Sequence, residues 1–202
     1  LAEKNKVGIG AHPSFPDLKG FGRRNMNLSS KEVKNDLKYQ IGALTAFTKD
    51  KKLQHVKPHG AMYNQSVNDP DLSRAICEAI LETDENIILI ALANSKWIKI
   101  AKEMGLKVAR EIFADRALNS DGSLVSRSIE GSVIHEADVV IDRSIKMINQ
   151  GSVKTIDGKE IEVEADSICL HSDTPGSVEM AKLLNIELQK NGIETSKIAD
   201  LV

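Results

Sequence analysis

Five times along the chain a short apolar segment gives way to a longer stretch of helical period, and in four of the five the segment runs out onto a histidine or an aspartate. Such alternation implies parallel strands joined by crossover helices, the α/β class. The first strand reads from Lys6 to His12, and the helix beyond its polar loop starts near Ser30, where Ser29 and Glu32 stand at capping-box spacing. Val33, Leu37, Ile41 and Leu44 give that helix a buried stripe. The second strand, Leu53 to Lys57, precedes a helix with Asp69 as cap and Pro70 at its first position. The third, Ile87 to Leu92, is apolar on both faces and leads to a helix near Ser95 to Met104, closed by Gly105. The fourth covers about Leu106 to Phe113. A long loop from Ala114 to His135 follows, of a length that in compact domains is usually either functional or disordered. A helix from about Glu136 to Asn149 comes next, then a hairpin from Val153 to Val163 turning at Asp157-Gly158. The last strand is Ser167 to His171, with a helix from Pro175 to Lys190 ended by Gly192.

Strand parity separates the two architectures that five such units allow, an open doubly wound sheet and part of a barrel. Side chains alternate with period two, so Gly8, Gly10 and His12 share one face. By the same rule Leu53, His55, Lys57 and His59 share a face, as do Glu111, Phe113 and Asp115, and Ser167, Cys169, His171 and Asp173. Each of these strands carries polar or small residues on the face that ends in a His or Asp. A barrel with helices outside and a polar lumen accounts for this better than a sheet covered on both sides, and barrel sites gather at the C-terminal strand ends.

At 202 residues with 41% hydrophobic content, the chain is expected to form one domain over 1–202. Its 27 basic and 29 acidic residues are scattered and leave a net charge of −2, so no basic stripe offers itself to nucleic acid. No apolar run approaches the roughly 18 residues of a membrane span, and no signal-peptide pattern opens the chain. The expectation is a cytoplasmic protein. Cys77 and Cys169 stand far apart in no metal-type spacing and read as reduced, structural side chains.

Three of the five histidines fall at strand exits. His12 is held by Pro13 and suits a general base or metal ligand, or else is a hydrogen-bonded loop residue. His59, in Lys57-Pro58-His59-Gly60, has the same two readings. His171 and Asp173 could pair as base and orienting carboxylate, or Asp173 could cap the helix that follows. Arg23 and Arg24 on a Gly-flanked loop, with Arg116 and Arg127 around the long loop, are candidates for holding a carboxylate or phosphate, against a solvated surface role. Glu111 and Lys57, facing a lumen, would be desolvated, or would form a structural ion pair. The phosphate loop, dinucleotide fingerprint, nucleophile elbow and His-Glu-x-x-His motif are all absent.

Read together, Gly10-Ala11-His12-Pro13 with Phe15-Pro16-Asp17, Gly20-Phe21-Gly22-Arg23-Arg24, Lys57-Pro58-His59-Gly60-Ala61 with Tyr63-Asn64, Phe113-Ala114-Asp115-Arg116 and Asp173-Thr174-Pro175-Gly176 resemble the LamB/YcsF family, in the right order over nearly the whole chain. The resemblance implies a seven-stranded β/α (TIM-like) barrel of the glycoside hydrolase and deacetylase type. It also implies cleavage of 5-oxo-L-proline to L-glutamate coupled to ATP hydrolysis, in a complex with 5-oxoprolinase subunits B and C. On that reading His12, His59, Asp115, His171 and Asp173 are catalytic candidates, and Arg23, Arg24, Lys57, Asn64, Glu111, Arg116 and Arg127 bind substrate. The family's usual opening strands, Asp-Leu-Asn-Cys-Asp-x-Gly-Glu-like and Ala-Cys-Gly-x-His-x-Gly-Asp-like, are absent here, and the chain opens at Leu1 without a methionine. The expectation is therefore a barrel lacking its first two strands, and Ser172 stands where a glycine is usual. Two other readings stay open: a divalent-metal amide hydrolase or deacetylase without ATP, and a non-catalytic scaffold that binds 5-oxoproline for its partners.

Overall fold

The computed structural model describes residues 1–172 and 176–202; Asp173, named from the sequence, lies outside the described residues. The chain is an α/β protein with parallel strand pairing, and its residues gather into two compact units, Leu1–Ala109 with Lys197–Val202, and Arg110–Ser196.

In the first unit, strand β1 (Gly10–Ala11) pairs in parallel with β2 (His55–Val56), and β2 with β3 (Ile88–Leu92). β4 (Val108–Phe113) is the next neighbour of β3 in the sheet, and Leu89 N donates to Lys107 O at 2.9 Å just before β4 starts. These ladders are shorter than the strands expected from Lys6 to His12 and from Leu53 to Lys57. Pro13 and Pro58 explain the stop, since neither has an N–H to donate. Pairing continues on single bonds, Gln54 N to Ile9 O, Lys57 N to Ala11 O and His59 N to Pro13 O, at 2.8 to 3.0 Å. Gly10 sits opposite His55, and a Cβ there would meet the His55 ring at 2.1 Å, so the glycine is what admits the imidazole.

Helix α1 (Ser30–Thr45) starts on the expected capping box: Glu32 N donates to Ser29 Oγ at 3.3 Å and Ser29 N to Glu32 Oε2 at 2.8 Å. It buries Val33, Leu37 and Ile41, each worth ~2 kcal/mol of transfer free energy. A helix the sequence did not announce, α2 (Gly60–Ser66), starts directly after His59. Pro58-His59-Gly60 reads as a loop, but Ala61, Met62, Tyr63 and Ser66 are buried, and that packing supports so short a helix. Asp69 caps α3 (Pro70–Thr83) through the amides of Asp71 and Leu72, and α4 (Lys96–Glu103) ends at Gly105 with φ +87°. Burial pushes the Cys77 thiol up to about 12, as suits an inert core side chain.

The second unit opens with the rest of β4, which pairs in parallel with β7 (Ser167–Cys169) in the register Glu111 to Ser167 and Phe113 to Cys169. Between them lie the long loop, α5 (Ala137–Gln150) and the expected hairpin, β5 (Ser152–Lys154) against β6 (Glu160–Glu162). The loop is pinned by the bridges Arg116 to Val133 and Leu118 to Leu124, and by Ile156 N donating to Leu118 O at 2.9 Å. Helix α6 (Ser177–Lys190) packs Leu184 and Leu188 against Ile141 of α5 and Ile168 of β7. Among the described residues no helix is long and apolar enough to cross a membrane.

Candidate active site

His12 and His59 leave the ends of β1 and β2, and their rings meet edge to face, with His12 Nε2 3.0 Å from His59 Nδ1. Their other nitrogens face main-chain carbonyls, which only accept. His12 Nδ1–H therefore donates to Lys57 O at 2.5 Å, and His59 Nε2–H to Phe21 O at 2.8 Å. Those tautomers leave the two facing nitrogens both as acceptors, so the pair is built to take up a proton between them.

The loop that closes on this pair owes its shape to Asp17. Its carboxylate accepts from Gly20 N at 2.9 Å and from Arg24 Nε at 2.9 and 3.0 Å, with Nη2 of Arg24 also in contact. The Arg24 hydrogen bond, against the opposing effect of burial, holds the Asp17 carboxyl at about 2. Phe21 adopts a left-handed φ of +56°, and its carbonyl accepts the hydrogen bond from His59 Nε2–H. Gly60, also at φ +56°, lets the loop approach α2: Ala61 N donates to Gly22 O at 2.9 Å, and a Cβ on Gly60 would stand 2.6 Å from that oxygen. From α1, Gln40 holds Ser14 at both its N and O. His12, Phe15, Asp17, Leu18, Phe21 and His59 line a cavity of about 280 Å³, small-ligand in size.

Around it, Arg23 is exposed and lies 5.2 Å from the centre of the Phe21 ring, which is itself 67% exposed. Lys57 places Nζ 5.9 Å from the Tyr63 ring. Asn64 is exposed on α2. His55 is half-buried beside Gln54, and burial, then the charge of Lys57, pushes its pKa down.

The second unit carries a different couple. Asp115, beyond β4, is 1% exposed, and His171, beyond β7, donates Nδ1–H to its carboxylate at 2.9 and 3.0 Å while stacking on Phe113. Burial works to raise the Asp115 carboxyl, but the hydrogen bond and charge of His171 together with main-chain hydrogen bonds from Asp115 and His171 leave the net shift downward. Arg116 is 4% exposed and spends Nε on Ser132 O at 3.1 Å and Nη2 on Val125 O, which makes it the pin of the long loop. Arg127 is exposed on the same loop, and Glu111 is 2% exposed within β4. Sequence reasoning missed Arg143 of α5, whose Nη1 donates to Phe113 O at 2.6 Å and Ala114 O at 3.2 Å. A charged residue three positions from Val140, inside the stripe Val140, Ser144 and Met147, was the available signal. Among the described residues no group of three or more His, Cys, Asp or Glu side chains is placed to hold a metal ion.

Parallel strands running out onto a histidine pair in one unit and an aspartate–histidine couple in the other define an α/β protein whose titratable groups gather at its strand exits. The chain belongs to the LamB/YcsF family, whose model matches residues 1–202. It is 52% identical to the A subunit of 5-oxoprolinase from Alkaliphilus metalliredigens (strain QYMF), across 96% of this chain and 76% of that protein. Proteins of the same name from Campylobacter jejuni subsp. doylei and Pyrococcus furiosus are 50% and 48% identical, over 100% of this chain and 80% of theirs. The crystal structure of a lactam utilization protein from Thermus thermophilus matches with a TM-score of 0.87 and 41% identity, covering 96% of this chain and 78% of that one.

Proposed function

We propose that this chain is the subunit of an ATP-hydrolysing 5-oxoprolinase that takes part in opening 5-oxo-L-proline to L-glutamate, in a complex with subunits B and C. The observation that carries the reading is identity of about half, across at least 96% of the chain, to relatives named for that activity. The histidine pair supports it chemically. Opening a γ-lactam requires a water stripped of a proton and an amide carbon made electrophilic. His12 and His59, with a proton-accepting position between them, serve as the base. Arg23, beside the cavity-lining Phe21, is the arginine that meets the substrate carboxylate. Arg24 is committed to Asp17 and shapes the loop instead.

Phosphorylation of the amide oxygen by ATP would supply the electrophilic carbon, with the nucleotide held by this chain or by a partner subunit. The barrel scaffold belongs to the same reading, supported by the parallel pairing within each unit and by the likeness to the lactam utilization protein.

A coupled assay for glutamate and ADP tests the reading. Both products are expected from 5-oxoproline and ATP only when this chain and its two partners are together. Equal turnover by the lone chain, or by the complex without ATP, would overturn it.

A further inference from the structure

Several main-chain groups around Asp115 are tied down. Ala114 N donates to Cys169 O at 3.0 Å, and Asp115 O accepts from Ile134 N at 2.9 Å. The two carbonyls just before Asp115, those of Phe113 and Ala114, both accept from Nη1 of Arg143. Arg143 reaches them from the apolar side of α5, between buried Val140 and Ser144. Its Nη2 is shut off from solvent and has no hydrogen-bond partner among the described residues.

A guanidinium in that place is costly, because taking a cation out of water is repaid only by opposite charge or full hydrogen bonding. Burial accordingly pushes its pKa down to about 10, while the negative charge of Asp115 works the other way. A neutral donor could tie the helix to the strand end at less cost. What only a cation adds is positive charge near the strand end that bears Asp115, beside the larger effects of His171 and the main-chain amides on that carboxylate. An ionised Asp115 accepts the Nδ1 proton of His171 and so fixes which nitrogen of that ring carries it.

We propose that Arg143 is a positioning residue for the Asp115–His171 couple: it anchors the strand end that bears Asp115 and sets a positive charge beside it, so that His171 holds its proton on Nδ1 and offers Nε2 for proton transfer. Arg143 acts through Asp115 and not on a reacting atom. The kinetic arm of its test rests on the lactam reading above; the spectroscopic arm does not.

Arg143→Gln keeps an N–H donor and removes the charge, Arg143→Lys keeps the charge, and Met147→Ala removes buried bulk from the same helix away from the couple. Imidazole ¹⁵N–¹H spectra of the whole chain, with His171→Gln to assign the signal, are expected to lose the hydrogen-bonded Nδ1–H resonance of His171 in Arg143→Gln and keep it in Arg143→Lys and Met147→Ala. In the assembled enzyme kcat should fall on the order of 10²-fold in Arg143→Gln at unchanged KM, with most of it recovered in Arg143→Lys. Thermal melting of each variant separates loss of fold from loss of the couple. A resonance that survives in Arg143→Gln, or vanishes equally in Met147→Ala, overturns the proposal. If the spectra behave as expected while the parent chain with its partners never turns over 5-oxoproline, the positioning role stands and the lactam reading falls.

Discussion

The two histidines of the first unit each donate a ring N–H to a main-chain oxygen, Lys57 O for His12 and Phe21 O for His59. His12 is exposed and fills no core, so His12→Ala is expected to abolish turnover while moving stability by no more than about 0.5 kcal/mol, and His59→Ala to do the same to activity. Assay and melting curves on the two variants decide this, and large destabilisation by both would make the pair structural. Asp17 carries a pH signature. Its carboxyl titrates at about 2 in the folded protein against an ordinary 3.8, so it stabilises the fold fully above about pH 4, and that contribution disappears as pH falls through 2. The melting temperature of Asp17→Asn should accordingly lose less between pH 5 and pH 2 than that of the parent; identical slopes would mean the Arg24 contact does not persist in solution. Much of the histidine site is legible in the sequence: a histidine fenced by proline at the end of an apolar run stands out, as His12 and His59 both do. What each arginine binds is not legible, because Arg24, Arg116 and Arg143 find their partners through the fold, up to 30 residues away in sequence.

At the scale of elements, α2 is where packing overruled local signals. Its first residue, Gly60, has φ +56° and lies against Gly22 O, which no side chain tolerates without a shift of the backbone. Gly60→Ala is expected to cost roughly 1–3 kcal/mol in urea unfolding and to lower kcat as well, since the displaced loop carries Phe21 O away from His59. An Ala variant as stable and active as the parent would show that the loop does not rest on α2. Helices with a cap and an apolar stripe, α1 and α3, were legible to within a residue or two, Ser29 with Glu32 and Asp69 with Pro70 marking their starts. Strand lengths were not, because alternation continues through residues such as Val7 and Leu53 whose amides do not enter a regular ladder; only the prolines at 13 and 58 hinted at where pairing stops. The hairpin was legible from Asp157-Gly158, since a glycine at φ +84° suits a tight turn.

For the molecule as a whole, alternating segments announced the α/β class and parallel pairing, but nothing in the sequence announces two compact units, because no Gly-, Ser- or Pro-rich linker separates them. The passage from one to the other falls between Ala109 and Arg110, inside strand β4. The first two residues of that strand count with one unit and the last four with the other. Evolution shuffles modules by cutting at exposed, contact-poor joints. A crossover at this joint would sever a strand whose residues are nearly all buried, and leave each product with a stub of unpaired amides. The histidine pair and the aspartate–histidine couple are therefore poor candidates for exchange as separate parts: a cut between the two units breaks a buried strand, so substitution within them costs the fold less than recombination between them.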